Sequence, residues 1–273
     1  MAEEKFEREK LLETALQQVA GQLKSSLGNI HGALERIVPP DARDADAGLD
    51  MNAAVLTRSY YRILRLANNL SDLAGVGGEI SSWRINDDIV GFCREILRKA
   101  ELPAQLLGLE LEFRCEKSSH IIAMDADRLE RMLLNLLSNA FKFTSRGGKV
   151  TLEVEIGLKE VLLRLTDTGC GMTEEELASA FERYLRTQPL PPPCGLGLGL
   201  PLSRGIAREH GGELTVTARP GEGTAVTVSL PNRKSGIVQL RTAVIDYSGG
   251  FNPVLVELAD ALPKEAFAQK YLD

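Results

Sequence analysis

The residues with the most chemical capacity lie in three separated clusters between Asp127 and Pro231. Asn135, Asn139 and Lys142 stand at steps of four and three, the spacing that stacks side chains on one helix face. Such a face presents two carboxamides and one ammonium. Next comes Asp167-Thr-Gly169-Cys-Gly171, where glycines let the backbone approach a planar ring closely. Last comes Gly195-Leu-Gly197-Leu-Gly199-Leu200, which opens a helix, and bare amides at a helix N-terminus cradle anionic phosphate. Together the three clusters read as a nucleotide pocket. A dinucleotide-binding reading of the glycines fails, because both the third-glycine spacing and the preceding segment are wrong for it.

These side chains need elements to position them. Residues 127–143 read as a strong helix, and residues 150–156 and 161–165 as strands joined by a turn at 157–160. A helix is expected over 202–210, ended by Gly211-Gly212, followed by a strand pair at 213–218 and 224–230. Upstream, residues 89–99 read as helix and 109–113 alternate like a strand. Strands separated by helices predict an α+β sandwich, with helices on a largely antiparallel sheet.

The beginning of the chain follows a different pattern. Leu12, Leu16, Val19, Leu23, Leu27, Ile30, Leu34 and Ile37 form one helical stripe, stopped by Pro39-Pro40. Residues 41–50 are polar and loop-like, and a second stripe runs through Leu56, Tyr60, Ile63, Ala67 and Leu70. Two amphipathic helices make an antiparallel hairpin that cannot bury its stripe alone. Pairing two hairpins into a four-helix bundle predicts a homodimer; the alternative is a hairpin packed on its own C-terminal domain. The expected division is therefore a hairpin domain over 1–78, a nucleotide domain over 79–232 and an extension over 233–273. Within the extension, residues 241–247 read as a strand and 253–272 as an amphipathic helix.

The net charge of −6 argues against bulk binding to nucleic acid or anionic membrane. No run approaches the roughly 18 apolar residues of a membrane span, and the charged start lacks a signal-peptide core. Cys93, Cys115, Cys170 and Cys194 are scattered, which fits reduced thiols better than disulfides or zinc. The chain reads as cytoplasmic.

In order and spacing the three clusters resemble the N, G1 and G2 boxes of the histidine-kinase ATP-binding domain, within the wider group of gyrase, Hsp90 and MutL. The resemblance implies ATP and Mg²⁺, with Asn139 holding the metal, Lys142 touching phosphate and Asn135 one turn earlier in the same site. It gives Asp167 the adenine amino group, with Gly169, Gly171, Gly195, Gly197 and Gly199 lining the nucleotide. Residues 181–186 resemble the F box, which would place Arg186 near the terminal phosphate; the proline-rich run 188–194 would stiffen the lid. Glu209-His210-Gly211-Gly212 is shared with the same family, with His210 structural rather than catalytic.

Residues 19–30 resemble the family's acceptor helix, whose pattern runs S-H-E-L-R-T-P-L. Matching Leu23 and Leu27 to its leucines places Gly21 at the phosphorylated histidine and Gln22 at the acidic residue beside it. Ser25 and Ser26 then stand for its threonine and proline. Glycine offers no nucleophile and glutamine no general base. His31, ten residues on, lies about 280° around the helix from Gly21. The resemblance thus implies a degenerate histidine kinase, a dimeric scaffold or regulator of a phosphorelay, bound to a response-regulator-like or phosphotransfer protein. The alternative is an active ATP-dependent kinase of a partner protein or of an unusual histidine. A gyrase-like or MutL-like mechanical ATPase is disfavoured, because Asn135 stands where those proteins carry a glutamate base.

Overall fold

The computed structural model describes residues 2–75, 84–181, 197–236 and 252–272. The chain divides into two compact units, Met1–Ile80 with Tyr247–Asp273, and Ser81–Asp246.

In the first unit, α1 (Ala2–Ile37) and α3 (Ala47–Gly75) pack along one another as a hairpin. The segment between them differs from the loop expected over 41–50. Pro40 starts a short helix, α2 (Pro40–Ala45), because proline at the first helical position has its φ already set and lacks only an N–H that would be unpaired anyway. The apolar stripe of α1 stays largely open, with Val19 49%, Leu23 37%, Ile30 60% and Ile37 78% exposed. Leu56 and Ile63 continue the open apolar surface on α3.

Helix α3 is buried over a broader arc than one stripe, through Tyr60, Tyr61, Leu64, Arg65, Ala67 and Asn68. Residues 252–272 supply the other side. They form α8 (Pro253–Leu258), capped by the Asn252 side chain on the Val254 and Leu255 amides, and then two single 3-10 turns, Lys264–Phe267 and Gln269–Tyr271. The continuous helix expected over 253–272 is broken, since Pro263 cannot continue one. The strand expected over 241–247 lies outside the described residues.

The second unit holds β1 (Ile85–Asp88), α4 (Ile89–Leu107), β2 (Glu110–Arg114), β3 (Ile121–Met124), α5 (Ala126–Phe143), β4 (Lys149–Ile156), β5 (Glu160–Asp167), α6 (Glu174–Ala178), α7 (Gly199–Glu209), β6 (Glu213–Arg219) and β7 (Gly223–Pro231). The five-stranded sheet runs β2-β4-β5-β7-β6 and is antiparallel except for β2 beside β4. Sequence reading misses a separate antiparallel ribbon of β1 and β3. Helix α4 also runs past the expected 89–99 and carries Pro103 inside it. The buried Ile96, Leu97, Ala100 and Ala104 hold that stretch helical, because packing overrides local propensity. Helix α7 opens a turn before the expected 202. Pro201 falls in its first turn, where an amide would have no intrahelical partner.

Parity along β5 fixes the site. Val161, Leu163, Leu165 and Asp167 alternate inward, so the sheet's apolar pattern delivers one carboxylate to the strand end on the buried face.

Candidate functional site

Helix α5 starts at an Asp125 cap, whose carboxylate accepts from the Arg128 amide. Its inward face is almost wholly buried and carries Asn135 at 0% exposure. Asn139 and Lys142 follow at the half-buried margin, with the Lys142 ammonium 6.0 Å from the Phe143 ring centre. The first residue of α7 lies against this face. A Cβ built on Gly199 would meet Asn135 Oδ1 at 3.5 Å and Asn139 Nδ2 at 3.6 Å. The free amides of an 11-residue helix are thus directed beside two carboxamides, an arrangement suited to an anion and its counter-cation.

Asp167 is 8% exposed, and its Oδ1 accepts from the Gly169 amide at 2.8 Å and the Thr224 amide at 3.3 Å. Burial raises its pKa above the ordinary value, and the two amides counter only part of that rise. The following loop closes on α5 through the Cys170 amide, which donates to the Phe143 carbonyl at 3.2 Å. A Cβ at Gly169 would come within 2.5 Å of that same carbonyl oxygen, so no larger residue fits. Gly171 has φ +66° and packs on the Arg219 carbonyl, which excludes a side chain a second time. Gly197 is placed just before α7, while Arg186 and Gly195 lie outside the described residues.

A clamp at the opposite end of both helices sets their spacing. The Arg128 guanidinium donates to both Glu209 carboxylate oxygens, at 2.7 and 2.8 Å from Nη2. Next to it His210 is 3% exposed; its Nδ1 donates to the Ile206 carbonyl at 2.8 Å and its Nε2 accepts from the Asp125 amide at 3.1 Å. Burial holds its pKa below the ordinary value. Arg84 donates to the carbonyls of Glu209 and His210. His210 is therefore a structural junction between the start of α5 and the end of α7. Sequence reasoning misses Arg128 because its partner is 81 positions away. It also misses Arg204, whose guanidinium lies 4.1 Å from the Phe181 ring centre at the start of the F-box-like run.

On α1, Gly21 and Gln22 are exposed, and a Cβ at Gly21 meets nothing within 4 Å. His31 turns toward α3. Its ring centre is 4.7 Å from that of Tyr60 and its Nδ1 is 3.6 Å from Glu35, and burial lowers its pKa. His120 Nε2 bonds to Asn232 Oδ1 at 2.8 Å.

Residues 124–234 match the family of histidine kinase-, DNA gyrase B- and HSP90-like ATPases. A sensor-like histidine kinase of Rhizobium meliloti is 33% identical over 214 residues, covering 76% of this chain and 40% of the relative. The sensor protein SrrB of Staphylococcus aureus is 30% identical over 217 residues, covering 78% of this chain and 37% of its own length. The chain therefore spans about two fifths of the curated relatives it matches. Full-length ShkA, solved in complex with AMPPNP, superposes with a TM-score of 0.61 at 25% identity, covering 80% of this chain and 47% of that one. Among the described residues no helix is long and apolar enough to cross a membrane.

Proposed function

Because this chain belongs to the GHKL-type two-component histidine-kinase family, we propose that it binds ATP with Mg²⁺ and signals without phosphorylating itself at the usual position. The observation that carries the reading is Gly21, an exposed residue with no nucleophile, in a chain where Asn135 and Asn139 lie against the first residue of α7. In this reading Asp167 selects adenine, Asn139 holds the metal and Asn135 lies beside it. Lys142, Gly195, Gly197, Gly199 and the first turn of α7 bind the phosphates, and Arg186 approaches the terminal one. AMPPNP in the structurally similar ShkA supports an adenine nucleotide as the ligand. Phosphoryl transfer requires a nucleophile held in line with the γ-phosphate, and neither Gly21 nor Gln22 supplies one. His31 faces Tyr60 instead.

The protein acts as a dimeric, cytoplasmic regulator in a phosphorelay. A second copy covers the open stripe of Val19, Leu23, Ile30, Leu56 and Ile63, and the bundle engages a response-regulator-like or phosphotransfer protein. The test is a nucleotide titration beside incubation with γ-labelled ATP and Mg²⁺. The expected result is saturable binding, lost in Asn139→Ala, with no acid-labile label in the parent. Label is expected to appear in Gly21→His, whose side chain the helix surface has room for. Acid-labile label on the parent overturns the reading.

A further inference from the structure

Segment 252–272 is bound to the hairpin with the density of an interior element. Val256, Leu258, Ala259, Leu262 and Phe267 are each 0% exposed, and the Phe267 ring centre lies 5.5 Å from that of Tyr61. Its polar ties are spread along the hairpin rather than gathered at one point. Arg65, 7% exposed in its side chain, bonds to the fully buried Glu257 at 3.2 Å and to Asp260 at 3.0 Å. Arg62 adds a second bond to Asp260 at 2.9 Å. Further along, Arg43 donates to the Phe267 carbonyl at 2.8 Å, and the Gln269 amide donates to Asp50 at 3.0 Å. Arg43 is itself locked to Asp50 at 2.8 Å, so α2, the start of α3 and the segment form one closed set of bonds.

The order of the chain gives this packing a consequence. The second unit, Ser81–Asp246, lies in sequence between two parts of the first. In chain order α3 comes before it and segment 252–272, which packs on α3, comes after it. We propose that the α2–α3 flank is a docking surface for the chain's own segment 252–272, and that this segment is a second anchor for the nucleotide unit. The nucleotide unit is inserted into the hairpin unit rather than appended to it, so its motion is restricted at both ends. A buried arginine–carboxylate pair and a fully enclosed phenylalanine suit a standing attachment, because separating them exposes apolar surface and strands a buried charge. This inference is independent of the nucleotide and acceptor readings.

The experiment replaces Ser248-Gly249-Gly250 with a recognition sequence for a site-specific protease and cuts the folded full chain. The expected result is that the released peptide co-elutes with the remainder in stoichiometric amount through size exclusion. Cut Arg65→Ala protein is expected to lose the peptide, and cut Asp260→Asn, a milder change at the segment's rim, to retain only part of it. Small-angle scattering then compares cut and uncut parent. A larger radius of gyration after cutting, with the peptide still bound, supports the second anchor. Dissociation of the peptide from otherwise folded parent overturns the docking surface. Retention with an unchanged radius of gyration overturns the anchor.

Discussion

The buried polar groups of the two units serve different ends. In the nucleotide unit the buried Asn135 lies against the first residue of α7 and the buried Asp167 closes the end of β5, while the half-buried Arg128–Glu209 pair ties the start of α5 to the end of α7. In the hairpin unit Arg43, Arg65 and Glu257 instead seam one part of the chain to another. The lesson is that the partners of a buried polar group tell what it joins: neighbouring elements of one unit in the first case, distant parts of the sequence in the other.

Mutations can break this distinction. The largest effect is expected from Arg65→Ala, which removes the guanidinium bonded to the enclosed Glu257 carboxylate; the loss is roughly 3–5 kcal/mol of hairpin stability. Differential scanning calorimetry should record it while the nucleotide dissociation constant stays unchanged. The mirror case is Asp167→Asn. Binding of ATP should weaken by roughly 10–100-fold, the worth of one charged hydrogen bond, by titration calorimetry. The nucleotide unit should melt no lower, because burial raises the Asp167 pKa and the ionised form already works against folding at neutral pH.

A third contrast lies in pH. His210 is held neutral, with a folded pKa below its ordinary 6.5, chiefly through burial. As pH falls through that ordinary value the unfolded chain takes up the proton first, so stability present above it is lost toward the lower folded value. The nucleotide unit's melting midpoint should therefore drop between neutral pH and about pH 5, with a flatter slope in His210→Asn. The smallest effect sharpens the comparison from the other side. Gly21→Ala should stabilise α1 by about 0.5–1 kcal/mol, measured by thermal melting, because nothing crowds the new methyl group.

Much of the nucleotide unit is legible in the sequence, since the strands around Asp167 alternate cleanly, Asn135, Asn139 and Lys142 keep helical spacing within α5, and the two glycine clusters fall at element boundaries. The β1–β3 ribbon is not, because Ile85-Asn-Asp-Asp88 has no strand-like alternation and acquires its pairing from Ile121–Met124 far along the chain. Arg128 is likewise invisible until Glu209 is brought to it. In the hairpin, the burial of Arg65 has no signal in the apolar stripe, because polar residues on a surface helix usually face solvent. Arg65 is buried against Glu257, encoded 192 residues later.

That separation has a consequence for biosynthesis. Arg43 finds the Phe267 carbonyl 224 positions downstream, so the hairpin unit holds the longest-range closure described in this chain. During translation, residues 81–246 are complete before 252–272 leave the ribosome, and the nucleotide unit is free to fold first. Until then the α3 flank and the open face of α1 are both bare on the nascent chain. The hairpin unit matures last although its first helices are made first, and that interval is the window in which nascent-chain aggregation or chaperone capture would act.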